Sequence, residues 1–150
     1  MPALTEASAR RLLGTARVAR LATVGEHGQP HVVPVTFAAD GDHIYSAVDA
    51  KPKTTRALAR LRHIRADPRV ALLADHYAED WTALWWVRAD GDAAILAGPA
   101  AIEGPVRLLA KRYPQYRDLP PAGPVIAIRV SRWTGWAAVP MQADAAAGDP

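Results

Sequence analysis

Residues 19–48 read ARLATVGEHGQPHVVPVTFAADGDHIYSAV. ARLATV (19–24) leads into GEHGQP, a hexapeptide of turn formers, and HVVPVTFAAD (31–40) follows as a second β-rich run. That arrangement predicts a hairpin. Asp40-Gly41 is a strong turn signal and IYSAV (44–48) makes a third strand, so three strands with short connections predict an antiparallel meander. Pro34 has no N–H to give to a ladder, which places its strand at an edge, at a bulge or beside a ligand.

The flanks extend the pattern. Thr5 is suited to cap a helix over Glu6 to Leu13, with Leu4 packing back on its first turn and Gly14 ending it. Thr54 or Thr55 caps a second helix whose Ala57, Leu58, Leu61 and Ile64 share one face, while Arg56, Arg60 and His63 fall on the other; Pro68 stops it. Strands follow at RVALLAD (69–75), WTALWWVRAD (81–90) and DAAILA (92–97), the last two joined through Asp90-Gly91. Pro105 opens a third helix reaching about Tyr113, and PVIAIRVSR (124–132) is the last strand. Isolated helices among short antiparallel strands argue for a mainly β, closed or partly closed barrel of six to seven strands, because helices do not alternate with strands as a parallel sheet requires.

Composition bounds the function. The chain has 150 residues, half of them apolar, enough for one domain with a real core, expected over 1–140 with a frayed tail at 141–150. No cysteine is present, which excludes disulfides and thiolate metal sites. MPALTEASARRLLG lacks the apolar core of a secretory signal, so the cytoplasm is the default location. AAILAGPAAI (93–102) falls well short of the roughly 20 residues of a membrane helix. The formal charge is +3, yet residues 51–69 hold seven Lys or Arg against one acid, Asp67. Basicity so local points to a defined anionic partner.

Lys51 and Lys53 precede the second helix, whose first-turn N–H groups face the same way, with the hydroxyls of Thr54 and Thr55 beside them. That is the outline of a phosphate site. Arg60, Arg62 and Arg65 read as a solvated helix surface. Nucleic acid is the rival anion, but there is no helix-turn-helix or zinc pattern and the bases are not interleaved with aromatics. The five tryptophans cluster at Trp81, Trp85, Trp86 and at Trp133, Trp136. They offer either stacking surface for a planar ring or core and interface packing. Adjacent on a strand, Trp85 and Trp86 face opposite sides. His27 and His31 are four apart with no helix to align them, so no metal site is expected. No nucleophile elbow, Walker loop or GxGxxG is present, and Glu79-Asp80 reads as surface, so no catalytic residue is assigned. This favours a binding module or an enzyme whose cofactor does the chemistry.

The stretch IYSAVDAKPKTTRALARLRHIRADPRVALL (44–73) resembles the strand, phosphate-binding turn, helix and "DPRV" strand of the pyridoxamine 5'-phosphate oxidase-like, FMN-binding split-barrel superfamily. ARLATVGEHGQPHVVPVTF and IAIRVSRWTGWAA are similar to its branch of small actinobacterial oxidoreductases that use deazaflavin, coenzyme F420. The resemblance runs from residue 5 to about 139. It implies a split-barrel homodimer with two cofactor sites between subunits. It implies that the backbone of Val33, Pro34, Val35 and Thr36 lies along the ring. Tyr45-Ser46 matches the superfamily's tyrosine-threonine pair, which puts the Ser46 hydroxyl near ribityl or phosphate. Lys51-Pro52-Lys53 matches its Ser-Arg-Lys turn with a one-residue shift, making Lys53, with Lys51 and Arg56, the phosphate clamp. Trp86, in preference to Trp85, faces the ring across the interface. The superfamily's arginine-containing C-terminal substrate segment has no counterpart here, which speaks against pyridoxamine 5'-phosphate oxidation.

Deazaflavin and FMN share a tricyclic ring, a ribityl chain and a phosphate. Deazaflavin adds an acidic lactyl-polyglutamate tail, which the extra cations of residues 51–69 suit better than FMN alone. The expectation is a deazaflavin-dependent oxidoreductase acting on a small organic acceptor. The alternatives are an FMN-dependent oxidase or reductase of the same fold and a noncatalytic deazaflavin- or flavin-binding or storage protein.

Overall fold

Thr5 caps the first helix, α1 (Glu6–Thr15), its hydroxyl accepting from the Ser8 N–H at 3.2 Å. Leu4 packs on the core and its N–H donates to the Gly135 carbonyl, tying the chain start to the last strand. The helix passes through Gly14 and closes one residue later, where the Ala16 N–H reaches the Leu13 carbonyl. These relationships come from a computed structural model that describes residues 3–48 and 55–139, with residues 55–58 described by backbone course alone.

Strands β1 (Ala19–Val24) and β2 (Pro30–Val35) form the expected hairpin, paired from Ala19↔Val35 to Val24↔Pro30. His27 and Gly28 turn the chain with positive φ, 57° and 75°. The run 31–40 is not one strand, so the predicted three-stranded meander is corrected. It breaks at Thr36-Phe37 into β2 and β3 (Ala38–Asp40), which lie at opposite edges of a seven-stranded antiparallel sheet ordered β2-β1-β5-β6-β7-β4-β3. The cause is local. Phe37 is fully buried and both of its backbone polar groups meet the Tyr113 hydroxyl, where a strand would spend them on a ladder. The Asp40-Gly41 signal does make a hairpin, from β3 to β4 (His43–Ala47), with Gly41 at φ 59°.

After helix α2 (Thr55–Ala66) and β5 (Arg69–His76), the chain departs again from expectation. Residues 85–96 form one strand, β6 (Trp85–Leu96), not two strands joined by a turn at Asp90-Gly91. Between Asp90 and Gly91 the register against β7 (Val125–Ala137) shifts at a bulge, Asp90 facing Arg132 and Gly91 facing Val130, so that Ser131 is the extra residue. There the Arg129 carbonyl of β7 lies so close that a Cβ on Gly91 would sit 2.2 Å from its oxygen. Glycine serves backbone approach here, which sequence alone cannot separate from a turn. Helix α3 (Pro99–Arg112) begins at Pro99, one residue after Gly98 at φ 92°, and Pro105 lies inside it. A short helix α4 (Pro114–Asp118), not anticipated, precedes β7.

The sheet curls around a core that includes Leu13, Leu21, Phe37, Ile44, Leu72, Val87 and Ile128. Each such side chain contributes about 1.5–3 kcal/mol by leaving water. Leu61 and Ile64 of α2 join that core. A second apolar layer lies under α3, where Ile102, Leu109 and Tyr113 meet Ala38, Ala47 and Val125. The result is a mainly β split barrel with few helices. Among the described residues no helix is long and apolar enough to cross a membrane.

Candidate functional site

β2 is an edge strand, paired with β1 on one side only. Its alternation sends Val35 into the core, leaves Val33 half-buried against it, and turns Val32 and Pro34 outward, Val32 being 62% exposed. Pro34 thus sits at an edge, as its missing N–H requires. Thr36 follows, half-buried, its hydroxyl 2.9 Å from the Tyr116 hydroxyl. In the stretch 33–36, therefore, Pro34 points outward and the backbone edge carries no strand partner among the described residues, with the far end held by Tyr113 and Tyr116.

Trp86 lies on the outer side of β6, in register with Trp136 of β7 and Asp75 of β5. Trp85 takes the inner side and packs on the barrel core. β6 is three places from β2 in the sheet, or roughly 14 Å at about 4.8 Å per strand. Ser46 is 2% exposed and turned into the barrel between Ile44 and Val48, both core residues. Its hydroxyl thus lies on the core side of β4. Tyr45, on the outward side, packs under α3.

Lys51 and Lys53 lie outside the described residues. Arg56 falls in the first turn of α2, a helix of 12 residues whose N-terminal end opens on that basic segment. Arg62 and Arg65 are exposed, whereas Arg60 is half-buried. His63, expected on the exposed face, is a correction: it is 8% exposed, because its Nδ1 meets the buried Thr23 hydroxyl at 3.1 Å and its ring lies 4.3 Å from that of His31. Burial first, then His31 and Arg62, holds His63 below the usual histidine range, while Glu26 pulls weakly the other way.

Between β5 and β6, residues 81–83 form a single turn capped by Asp80, whose carboxylate accepts from the Thr82 N–H at 3.0 Å and hydroxyl at 2.7 Å. Those bonds, hydroxyl before backbone, keep the Asp80 carboxyl below its ordinary value. The turn displays Trp81, 76% exposed, and Tyr77, just after β5, is exposed as well. The residues that sequence reasoning missed are Tyr113, Tyr116, Thr23 and the buried role of His63. All depend on contacts between segments more than 35 positions apart.

A family model described as pyridoxamine 5'-phosphate oxidase matches residues 5–137. The chain belongs to that family. Among solved structures, the pyridoxamine 5'-phosphate oxidase-family fold seen here is similar to a conserved hypothetical protein of Mycobacterium tuberculosis. The two share 24% identity at a TM-score of 0.71 over 90% of this chain and 86% of that one. It is also similar to a FAD-binding protein of Mesorhizobium loti (22% identity, TM-score 0.67, 89% and 95% covered). A FAD-binding protein of Mycobacterium smegmatis shares 17% identity at a TM-score of 0.65, with 90% and 98% covered. No curated protein matches the chain.

Proposed function

We propose that the protein is an oxidoreductase that uses reduced deazaflavin, coenzyme F420, and passes hydride to a small organic acceptor, with the cofactor held between two copies of the chain. The observation that carries this reading is the concentration of seven bases in residues 51–69, three of them, Lys51, Lys53 and Arg56, at or just before the start of α2, in a chain of the pyridoxamine 5'-phosphate oxidase family. When bound, the coenzyme supplies a hydride from C5 of its ring.

The residues present fit such a group. The edge at Val33 to Thr36, where Pro34 points outward, suits a flat ring, and its backbone side, without a strand partner among the described residues, can hydrogen-bond ring heteroatoms. The start of α2, with Lys51, Lys53 and Arg56, suits a phosphodiester and glutamate tail, since several charge-assisted bonds act together there. The separation of Trp86 from β2 supports a dimer, in which one protomer's Trp86 covers a ring held by its partner's edge strand. Val32, Leu73 and Trp86 supply apolar surface on the outer side for that association. The chain's part in the chemistry is alignment and exclusion of water.

A second reading, FMN or FAD in place of deazaflavin, is favoured by the FAD-binding descriptions of two similar structures. A noncatalytic cofactor carrier is the third. Titration of the purified protein with deazaflavin and with FMN, followed by ligand fluorescence, separates them. Saturable deazaflavin binding without FMN binding is the expected result, and protein that purifies yellow with FMN overturns the assignment. Turnover of a test acceptor then separates enzyme from carrier.

A further inference from the structure

A groove of about 650 Å³ runs between α3 and α4, a volume typical of small-molecule sites. One side is the face of α3 that carries Ile102, Val106 and Ala110; the other is Tyr116, Pro120 and Pro121. We propose that this groove binds a small apolar carboxylate.

The chemistry of its two parts carries the assignment. The floor is aliphatic, and its opposite wall is pre-formed. Proline has little freedom to lose, and the Tyr116 hydroxyl is already held by Thr36 at 2.9 Å. A ligand therefore meets a wall that costs little to order. The rim holds two guanidiniums, Arg107 and Arg117, and one acid, Glu103. Glu103 and Arg107 pair at 3.0 Å, but both are well exposed, and such a surface pair contributes little and exchanges readily. A carboxylate at the rim meets a net positive charge and a fork of donors suited to its two oxygens. A neutral apolar molecule leaves that charge unused. An apolar cation is repelled.

The groove touches the proposed cofactor edge only through Tyr116, which holds Thr36, and none of its lining residues lies in α2, so the test runs without cofactor. In ¹H–¹⁵N spectra, octanoate is expected to shift amides of residues 102–122 saturably, and 1-octanol to bind about tenfold more weakly, the worth of one charged contact. The Arg107→Ala/Arg117→Ala double variant, changed at exposed positions, is expected to lose octanoate affinity to a similar extent with its spectrum otherwise preserved. Ala110→Trp, which fills the groove, is expected to abolish binding. Absence of saturable shifts, shifts centred elsewhere, equal binding of octanol, or unchanged affinity in the double variant would overturn the proposal. So would broadening of the same amides with protein concentration alone, which would make a second copy the occupant. None of these results bears on deazaflavin binding.

Discussion

The hydroxyl of Tyr113 accepts the Phe37 N–H at 3.1 Å and lies 2.9 Å from the Phe37 carbonyl, so one side chain replaces a strand partner for both backbone groups of that residue. This is where β2 leaves the sheet edge and the chain crosses to β3 at the other edge. Tyr113→Phe strands a buried N–H, and it is expected to cost about 1–3 kcal/mol in urea unfolding. Tyr116→Phe, whose partner Thr36 is half-buried, is expected to cost less than about 1 kcal/mol because water can replace the bond. Equal losses would mean that the crossover is not anchored at Phe37.

Glycines 91 and 104 make contrasting predictions. A Cβ at Gly91 meets the Arg129 carbonyl oxygen at 2.2 Å, backbone that cannot swing aside, whereas at Gly104 in α3 nothing beyond its chain neighbours and its own helix backbone lies within 4 Å. Gly91→Ala is expected to destabilise by about 2 kcal/mol or more, since β6 and β7 must part at the bulge. Gly104→Ala is expected to change stability by less than about 0.5 kcal/mol, because the helix propensity gained is offset by crowding of the new Cβ against the ring of Pro105. A neutral Gly91→Ala in chemical denaturation would show that the bulge does not bring the strands together.

The pH dependence follows from His63. In contact with Thr23 and His31 and within the fields of Arg62 and Glu26, it is held below its ordinary value mainly by burial. The unfolded chain therefore binds this proton more readily than the folded one. Stability from this site is complete above the unfolded value of about 6.5 and falls as pH drops below it, until the lower folded value is passed. Unfolding midpoints measured from pH 8 to 5 are expected to fall more steeply for the wild type than for His63→Gln, and parallel curves would remove His63 as the cause.

Local signals made much of the fold legible. The Thr5 cap, the β1–β2 hairpin and the Asp40-Gly41 turn each act within a few residues. What the sequence hid was long-range. Gly91 reads as a turn until β7 is seen pressing on it, and His63 reads as exposed because its helical face is buried by Thr23 and His31 of the β1–β2 hairpin. At the site, the edge position of Pro34 was legible from a missing N–H. The inward direction of Ser46 was not, because alternation along β4 says which residues share a face and not which face is the core.

The proposed cofactor site makes the last prediction, through Lys53 and the two adjacent tryptophans. Lys53→Ala removes one charged contact to phosphate and is expected to weaken deazaflavin binding by at least about 1.5 kcal/mol, more than tenfold. Trp86 faces outward beside Trp136, while Trp85 packs on the core, so truncating each separates binding from folding. Trp86→Ala is expected to lower cofactor affinity about tenfold and to leave the unfolding midpoint nearly unchanged. Trp85→Ala is expected to cost about 2 kcal/mol or more of stability through the cavity it leaves. If a partner's Trp86 completes the site, the loss in Trp86→Ala is accompanied by weaker self-association in sedimentation. A Trp86→Ala protein that binds deazaflavin as the wild type does would remove the second protomer from the site.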